Sequence, residues 1–274
     1  MNPEHHESRI EKERGANCEV KVIFLRHAHK QEMDSHASGQ ISDSRLSEKG
    51  KRASKKYGKN LSESKQSIKG YSSEFVRSQE TLGKILEGIA EESNNKRVLK
   101  SRIKSELNAP HFSPDFIQVY RKHFASKPNN FDVLSKDDQE RVVEEIEAPA
   151  VQFWLDQWDK KFDDETESAM EVAAKMAWLV TRYAKMTERL KSGTEVELMN
   201  VTHKTATEPF IKACVRLPEG IKVGQLGLLE DWELDIRTDA GGNKQFKVLF
   251  RDNEYDLDWE KVKELSSIAQ KEQK

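Results

Sequence analysis

Short apolar runs alternate along this chain with longer stretches in which apolar positions recur every three or four residues. The first kind of pattern suits strands buried on both faces, the second amphipathic helices packed on them. Strands are predicted over about Glu19 to Leu25, Ile68 to Ser73, Val98 to Lys104 and the run Val196 to Val201 that ends at His203. Helices are predicted from Ser47 to about Gly58, from Glu74 through Ile89, over Thr166 to Leu190 and over Thr205 to Val215. This order predicts an α/β domain: three α/β/α layers around a mainly parallel central sheet. Two further strands, Gln225 to Ile236 and Gln245 to Phe250, read as an antiparallel hairpin across Asp239-Ala240-Gly241-Gly242, with a closing helix over Trp259 to Gln270. Between about 111 and 164 the sheet pattern lapses into helical patterns, Phe116 to Phe124 and Val142 to Phe162, rich in aromatics. We expect this segment to be a helical cap inserted into a domain spanning 18–274. Residues 1–17 carry many charges and little apolar surface to offset the entropy of ordering, and are expected to form a flexible tail.

Two of the strands break off abruptly at a histidine. Val22-Ile23-Phe24-Leu25 runs into Arg26-His27-Ala28-His29, and Val196 to Val201 runs into Thr202-His203-Lys204. A strand end of this kind sits at the carboxyl edge of an α/β sheet, where such folds hold their ligands. A neutral imidazole there can attack a phosphoryl group while an adjacent guanidinium neutralises its oxygens. Ser47 is placed to cap the helix that follows Leu46, Arg77 falls in the first turn of the next one, and Glu106 follows the third strand.

Composition narrows the class without naming it. With 46 basic against 48 acidic residues among 274, the chain has no overall field to draw it onto nucleic acid or an anionic membrane. No apolar run approaches the roughly 20 residues needed to span a bilayer, and the first residues lack a secretion signal, so a cytoplasmic location is expected. Cys18 and Cys214 are too few for a disulfide framework and lack metal-ligand spacing. His5, His6, His29, His36, His111 and His123 are given no chemical role.

Taken together, Leu25-Arg26-His27-Ala28, Leu46-Ser47-Glu48-Lys49-Gly50, Ser72-Ser73-Glu74-Phe75-Val76-Arg77-Ser78-Gln79-Glu80-Thr81, Glu106 and Val201-Thr202-His203 resemble the signature of the histidine phosphatase superfamily, with its phosphoglycerate mutase-like fold. The order and spacing match from Val22 to about Ile211. The resemblance implies a phosphatase with His27 as the nucleophile, forming a phosphohistidine that water hydrolyses. It implies Arg26, Arg77 and His203 as the phosphate pocket, and Glu106 as the acid that protonates the leaving oxygen and then the base that activates water. No metal or other cofactor is called for, since the arginines take the part of a divalent ion. The expected partner is a phosphorylated small molecule or phosphoprotein; a homodimer is compatible with the sequence but not specified by it.

The chain departs from the family pattern in three places. Ala28 stands where glycine is commonest, Lys204 follows the second histidine where glycine is usual, and no asparagine lies between His29 and Leu46, where mutase-like members commonly carry one. The last point favours a phosphatase over a sugar-phosphate mutase. Lys30 or Lys204 could reach a second anionic group, and Glu74, Asp34 and Asp43 are other carboxylates that could supply the acid. Two readings from other classes stay open: a catalytically silent relative that binds phosphorylated ligands, and a metal-dependent hydrolase using His27 and His29. Phe112, Phe116, Tyr120, Phe124, Phe153, Trp154 and Trp158 could line a mouth in the cap, though packing suits most of them better.

Overall fold

The computed structural model describes residues 14–31, 44–61, 67–93, 98–118 and 133–272. Most of residues 1–17, and the positions His5, His6, Asp34, His36, Asp43, Tyr120, His123 and Phe124, lie outside them. Seven strands form one sheet: β1 (Glu19–Arg26), β2 (Ser67–Ser72), β3 (Val98–Ile103), β4 (Glu195–Thr202), β5 (Asp231–Thr238), β6 (Lys244–Phe250) and β7 (Asn253–Asp256), in the order β3-β2-β4-β1-β5-β6-β7. The labelled helices are α1 (Glu48–Asn60), α2 (Val76–Glu92), α3 (Lys136–Gln157), α4 (Ala169–Thr187), α5 (Glu208–Cys214) and α6 (Trp259–Glu272).

The sheet is mixed, so the expectation of a mainly parallel one is met only in part. β3, β2, β4 and β1 run parallel, whereas β5, β6 and β7 continue antiparallel from β1. Parallel neighbours need a crossover, and helices supply it in the first half of the chain. After β5 the connections shrink to tight turns, of which Asp239–Asn243 is one, and only antiparallel pairing is then possible.

Alternation along β1 divides the core. Val20, Val22 and Phe24 face α4, α5 and α6, while Ile23 and Leu25 face α2 with Ile68, Leu82, Ile85, Ile89, Met199 and Val201. On the first face Phe24 stacks on Trp232 at 4.4 Å, and Trp232 on Phe210 at 5.6 Å. Full burial of such a side chain contributes about 1.5–3 kcal/mol, so this aromatic column anchors the junction of the parallel and antiparallel halves. Helices therefore cover both faces, giving three layers.

Helix ends follow the sequence signals. The Ser47 hydroxyl accepts from Gly50 N and caps α1, and α4 opens with a capping box between Ser168 and Glu171. At Gly50 a Cβ would collide with the carbonyl oxygen of His29, and at Gly58 and Gly88 with the backbones of Ile85 and Lys55, so the absence of a side chain lets α1 and α2 meet backbone to backbone.

Three local expectations need correction. The predicted strand from Gln225 begins only at Asp231, because residues 225–230 turn back against Arg26. Phe75, expected within the helix that starts at Glu74, is instead the N-cap residue of α2 and packs on His203. Arg14 to Asn17, assigned to the tail, are tied down through Gly15 N to Leu190 O and Asn17 N to Asp239 O.

In the segment expected to be a cap, a short helix at 114–118 and α3 share a small core of Phe116, Val151, Trp154 and Leu155, packed on Ala169 and Val172 of α4. Phe112 stacks on Phe116 and meets Trp154 edge-on, whereas Phe153 is exposed. The two ends of the segment are joined by the backbone bond from Glu167 N to His111 O and by Ser113 with Thr166 and Asp163. Among the described residues, no helix is long and apolar enough to cross a membrane.

Candidate active site

Strand register brings the two histidines together. β1 and β4 are parallel with Arg26 opposite Thr202, so the next residues on each strand, His27 and His203, emerge side by side; His27 N donates to Thr202 O at 2.9 Å. Their ring centroids lie 5.1 Å apart. β2 ends at the same level, where Ser73 N donates to Val201 O, and α2 then starts directly, which places Arg77 over both rings. Arg26, His27, Arg77 and His203 are all buried at the carboxyl edge of the sheet, where Arg77 reaches both imidazoles and Arg26 Nη1 donates to Leu226 O at 2.6 Å.

The hydrogen bonds fix both tautomers. His27 Nδ1 lies 2.8 Å from Ala28 O, which only accepts, so Nδ1 carries the proton. Its Nε2 therefore keeps a lone pair, and Arg77 Nε donates to it at 3.2 Å. Arg77 Nη2 likewise donates to His203 Nδ1 at 3.2 Å, so the His203 proton is on Nε2, directed at Ser73 Oγ at 2.8 Å with Ser78 Oγ at 3.3 Å. One guanidinium thus bridges two neutral imidazoles. It is held flat by the Phe75 ring, 4.5 Å away, which also meets His203 edge-on. Thr81 Oγ1 accepts from Ala28 N and donates to Arg77 O, locking the turn after His27 to the helix that bears Arg77.

Burial is the largest influence on His27 and lowers its pKa to about 3; the charges of Arg77, Arg26 and Lys30 push the same way, against the Ala28 carbonyl. His203 is held well below the usual imidazole range, first by burial and then by its neighbours His27, Arg77, Arg26 and Lys30. A neutral ring keeps its nucleophilic lone pair over the whole physiological range. It also makes folding sensitive to acid. Unfolded His27 titrates near 6.5 and folded His27 near 3, so between those values the unfolded state binds the extra proton, and stability present above about pH 6.5 is lost as pH falls toward 3. His27→Asn should retain part of that stability, of order a few kcal/mol, with His203 still contributing in the same direction. Urea midpoints for both proteins at pH 7 and pH 4 measure it.

Glu106 occupies a 3-10 turn, Ser105–Leu107, beyond β3, where Thr202 Oγ1 donates to Leu107 O and ties the turn to the end of β4. Its carboxylate accepts from Arg182 at 3.0 Å rather than from either histidine, and Arg182 rests on Trp178. Of the other acid candidates within the described residues, Glu74 is exposed and bonded to Asn108. His29 turns to Ser47 Oγ at 2.9 Å, away from His27, and serves the α1 cap. Among the described residues no group of three or more His, Cys, Asp or Glu is gathered that could hold a metal ion.

Lys204 stands where glycine is usual, but the left-handed position is the next residue. Thr205 has φ 69°, a left-handed conformation costly for a β-branched residue. Sequence reading missed Glu208, which is fully buried at the first position of α5 and accepts from Leu226 N at 3.1 Å and Thr207 N at 3.3 Å. Burial raises its pKa, while backbone N–H groups and the charge of Arg26 pull it down. The only sequence signal was an acidic residue followed by Pro209 and an apolar run, which reads equally as an ordinary helix start.

Residues 22–102, which include Arg26, His27 and Arg77, match the family model of the histidine phosphatase superfamily (branch 1). A structure described as mycobacterial hydrolase 2 superposes with a TM-score of 0.56 at 17% identity, covering 92% of this chain and 98% of the other. Mycobacterial glucosyl-3-phosphoglycerate phosphatase gives 0.51 at 18% identity, covering 84% and 97%. Phosphoglycerate mutase from Bacillus anthracis str. Sterne gives 0.50 at 15%, covering 92% and 98%. A search of curated proteins returns no match. The family match thus falls on the segment that carries Arg26, His27 and Arg77, and the chain around it has a phosphoglycerate mutase-like fold, so this protein is similar to the histidine phosphatase superfamily in both respects.

Proposed function

We propose that this protein is a phosphomonoesterase that works without a metal ion and passes the phosphoryl group through Nε2 of His27. The observation that carries the reading is the Arg77 guanidinium set between His27 Nε2 and His203 Nδ1, both of which offer lone pairs to it. A phosphate entering this space brings its oxygens to the guanidinium and its phosphorus to Nε2. The Nε2 lone pair then forms the N–P bond as the P–O bond to the alcohol breaks, and the leaving oxygen takes a proton from Glu106. Water next attacks the phosphorus, gives its proton back to Glu106, and the N–P bond breaks, restoring neutral His27. Arg26 and Arg77 balance the charge on the equatorial oxygens, which is the main catalytic demand of such a transfer. The absence of asparagine between His29 and Leu46 supports hydrolysis over isomerisation.

The test is a panel of phosphomonoesters assayed for phosphate release with chelator present, followed by rapid quenching with a ³²P-labelled substrate. Turnover that is insensitive to chelator, with label trapped in an acid-labile, base-stable linkage, is the expected outcome. Turnover that requires added metal would overturn the mechanism, and phosphate binding without turnover would favour the silent relative.

A further inference from the structure

Glu208 is a carboxylate in an otherwise apolar layer, next to Phe210, Ile211 and Cys214, and no step of the proposed reaction uses it. Buried carboxylates are retained only where their oxygens are satisfied. Here they are satisfied entirely by backbone: Leu226 N and Thr207 N donate to the two oxygens, and the Thr205 N–H also reaches the group. Each of these contacts leads to a residue of the phosphate pocket.

The first route goes through Leu226. Its N–H is held by Glu208, its side chain is buried, and its carbonyl oxygen accepts from Arg26 Nη1 at 2.6 Å. The loop bearing Leu226 is further bound to Arg26 by backbone, Arg26 N to Glu230 O and Leu229 N to Arg26 O. Arg251 clamps the same loop from outside through Val223 O, Gln225 O and the Glu230 carboxylate. The second route goes through the turn after His203, where Ala206 N closes on His203 O and Thr205 adopts its strained left-handed conformation. A carboxylate that accepts from Thr205 and Thr207 holds that turn in place.

Resting on the functional reading above, we propose that Glu208 is a positioning residue that fixes Arg26, through Leu226, and the His203 turn around the substrate phosphate. A glutamine at this position would keep one acceptor but direct an NH₂ group at a backbone N–H, and it would lose the charge beside Arg26. Displacement of a positioned group by about 1 Å can cost roughly 10²-fold in rate.

The experiment is a double-mutant cycle of Glu208→Gln and Arg26→Ala, with kcat, KM and inorganic phosphate affinity by calorimetry for all four proteins, and melting temperature as a fold control. Glu208→Gln is expected to lower kcat/KM by tenfold to 10²-fold and to weaken phosphate binding, yet to cost less than threefold when Arg26 is already alanine. A buried residue with a purely structural role would cost the same factor in both backgrounds, and that result overturns the proposal, as does a variant with unaltered kinetics. Should Glu208→Gln not fold, Glu208→Asp, which keeps the charge but shortens the reach, is taken through the same cycle. If the wild-type protein neither hydrolyses phosphomonoesters nor binds phosphate, the functional reading itself fails, and the proposal with it.

Discussion

His27→Asn is expected to reduce kcat for any phosphomonoester substrate by about 10⁴-fold or more while leaving inorganic phosphate affinity within tenfold of wild type. Asparagine reaches only as far as the Nδ1 position of the ring, so Arg77 loses its Nε2 acceptor but keeps His203 Nδ1 and its place in the pocket. What disappears is the lone pair proposed to attack phosphorus, and with it the proposed covalent intermediate that would divide one difficult displacement into two. The contrast between kinetics and binding makes the result diagnostic. A fall in both would mean that His27 shapes the pocket rather than reacting, and unchanged turnover would remove it from the chemistry. Rapid-quench labelling provides the second check, since the variant should trap no phosphate.

The next largest effect is expected at Arg77. Its guanidinium touches both imidazoles and stacks on Phe75, so no other side chain of the pocket contacts as many of the reacting groups. Loss of an arginine that balances transition-state charge in phosphoryl transfer typically costs 10³–10⁵-fold, and Arg77→Met is expected to fall in that range of kcat/KM. Arg77→Lys should recover little of it, because an ammonium cannot donate in two directions with the planar fork that spans His27 Nε2 and His203 Nδ1. Folding should move the other way. Arg77 is a buried cation facing two neutral rings, and an apolar chain of similar length removes its desolvation cost, so Arg77→Met should melt no lower than wild type. A variant that is both inactive and strongly destabilised would show that Arg77 is chiefly a structural bridge. Steady-state kinetics and calorimetric melting on the same preparations separate the two.

The site was legible in the sequence where it coincides with strand ends. The break from Leu25 to Arg26 and from Val201 to Thr202 is abrupt, and a parallel register then forces His27 and His203 into contact. Ser47 and Ser168 announce their helices through capping, a strictly local interaction. Other parts depend on contacts that no local pattern records. Val223 and Leu226 are buried and apolar like strand residues, but they belong to the loop that curls back on Arg26, which is why β5 was expected too early. β7 escaped notice because Asn253–Asp256 is a short, polar edge strand with one neighbour. Glu208 looked like an ordinary acidic helix start, since only its partner Leu226, on a loop 18 residues away in the chain, sets it apart. The orientation of Glu106 toward Arg182 is of the same kind.

The glycines at 50, 58 and 88 carry a further implication. Where two helices meet through side chains, rotamer changes let them slide; where their peptide planes abut, little slack remains. His29 is wedged against Gly50, two residues from His27, and Arg77 rides on the partner helix. His27, the proposed nucleophile, and Arg77 are thus mounted on one stiff chassis, and on the proposed function the adjustments that admit substrate and release product come from the other rim, where Arg26 depends on a loop.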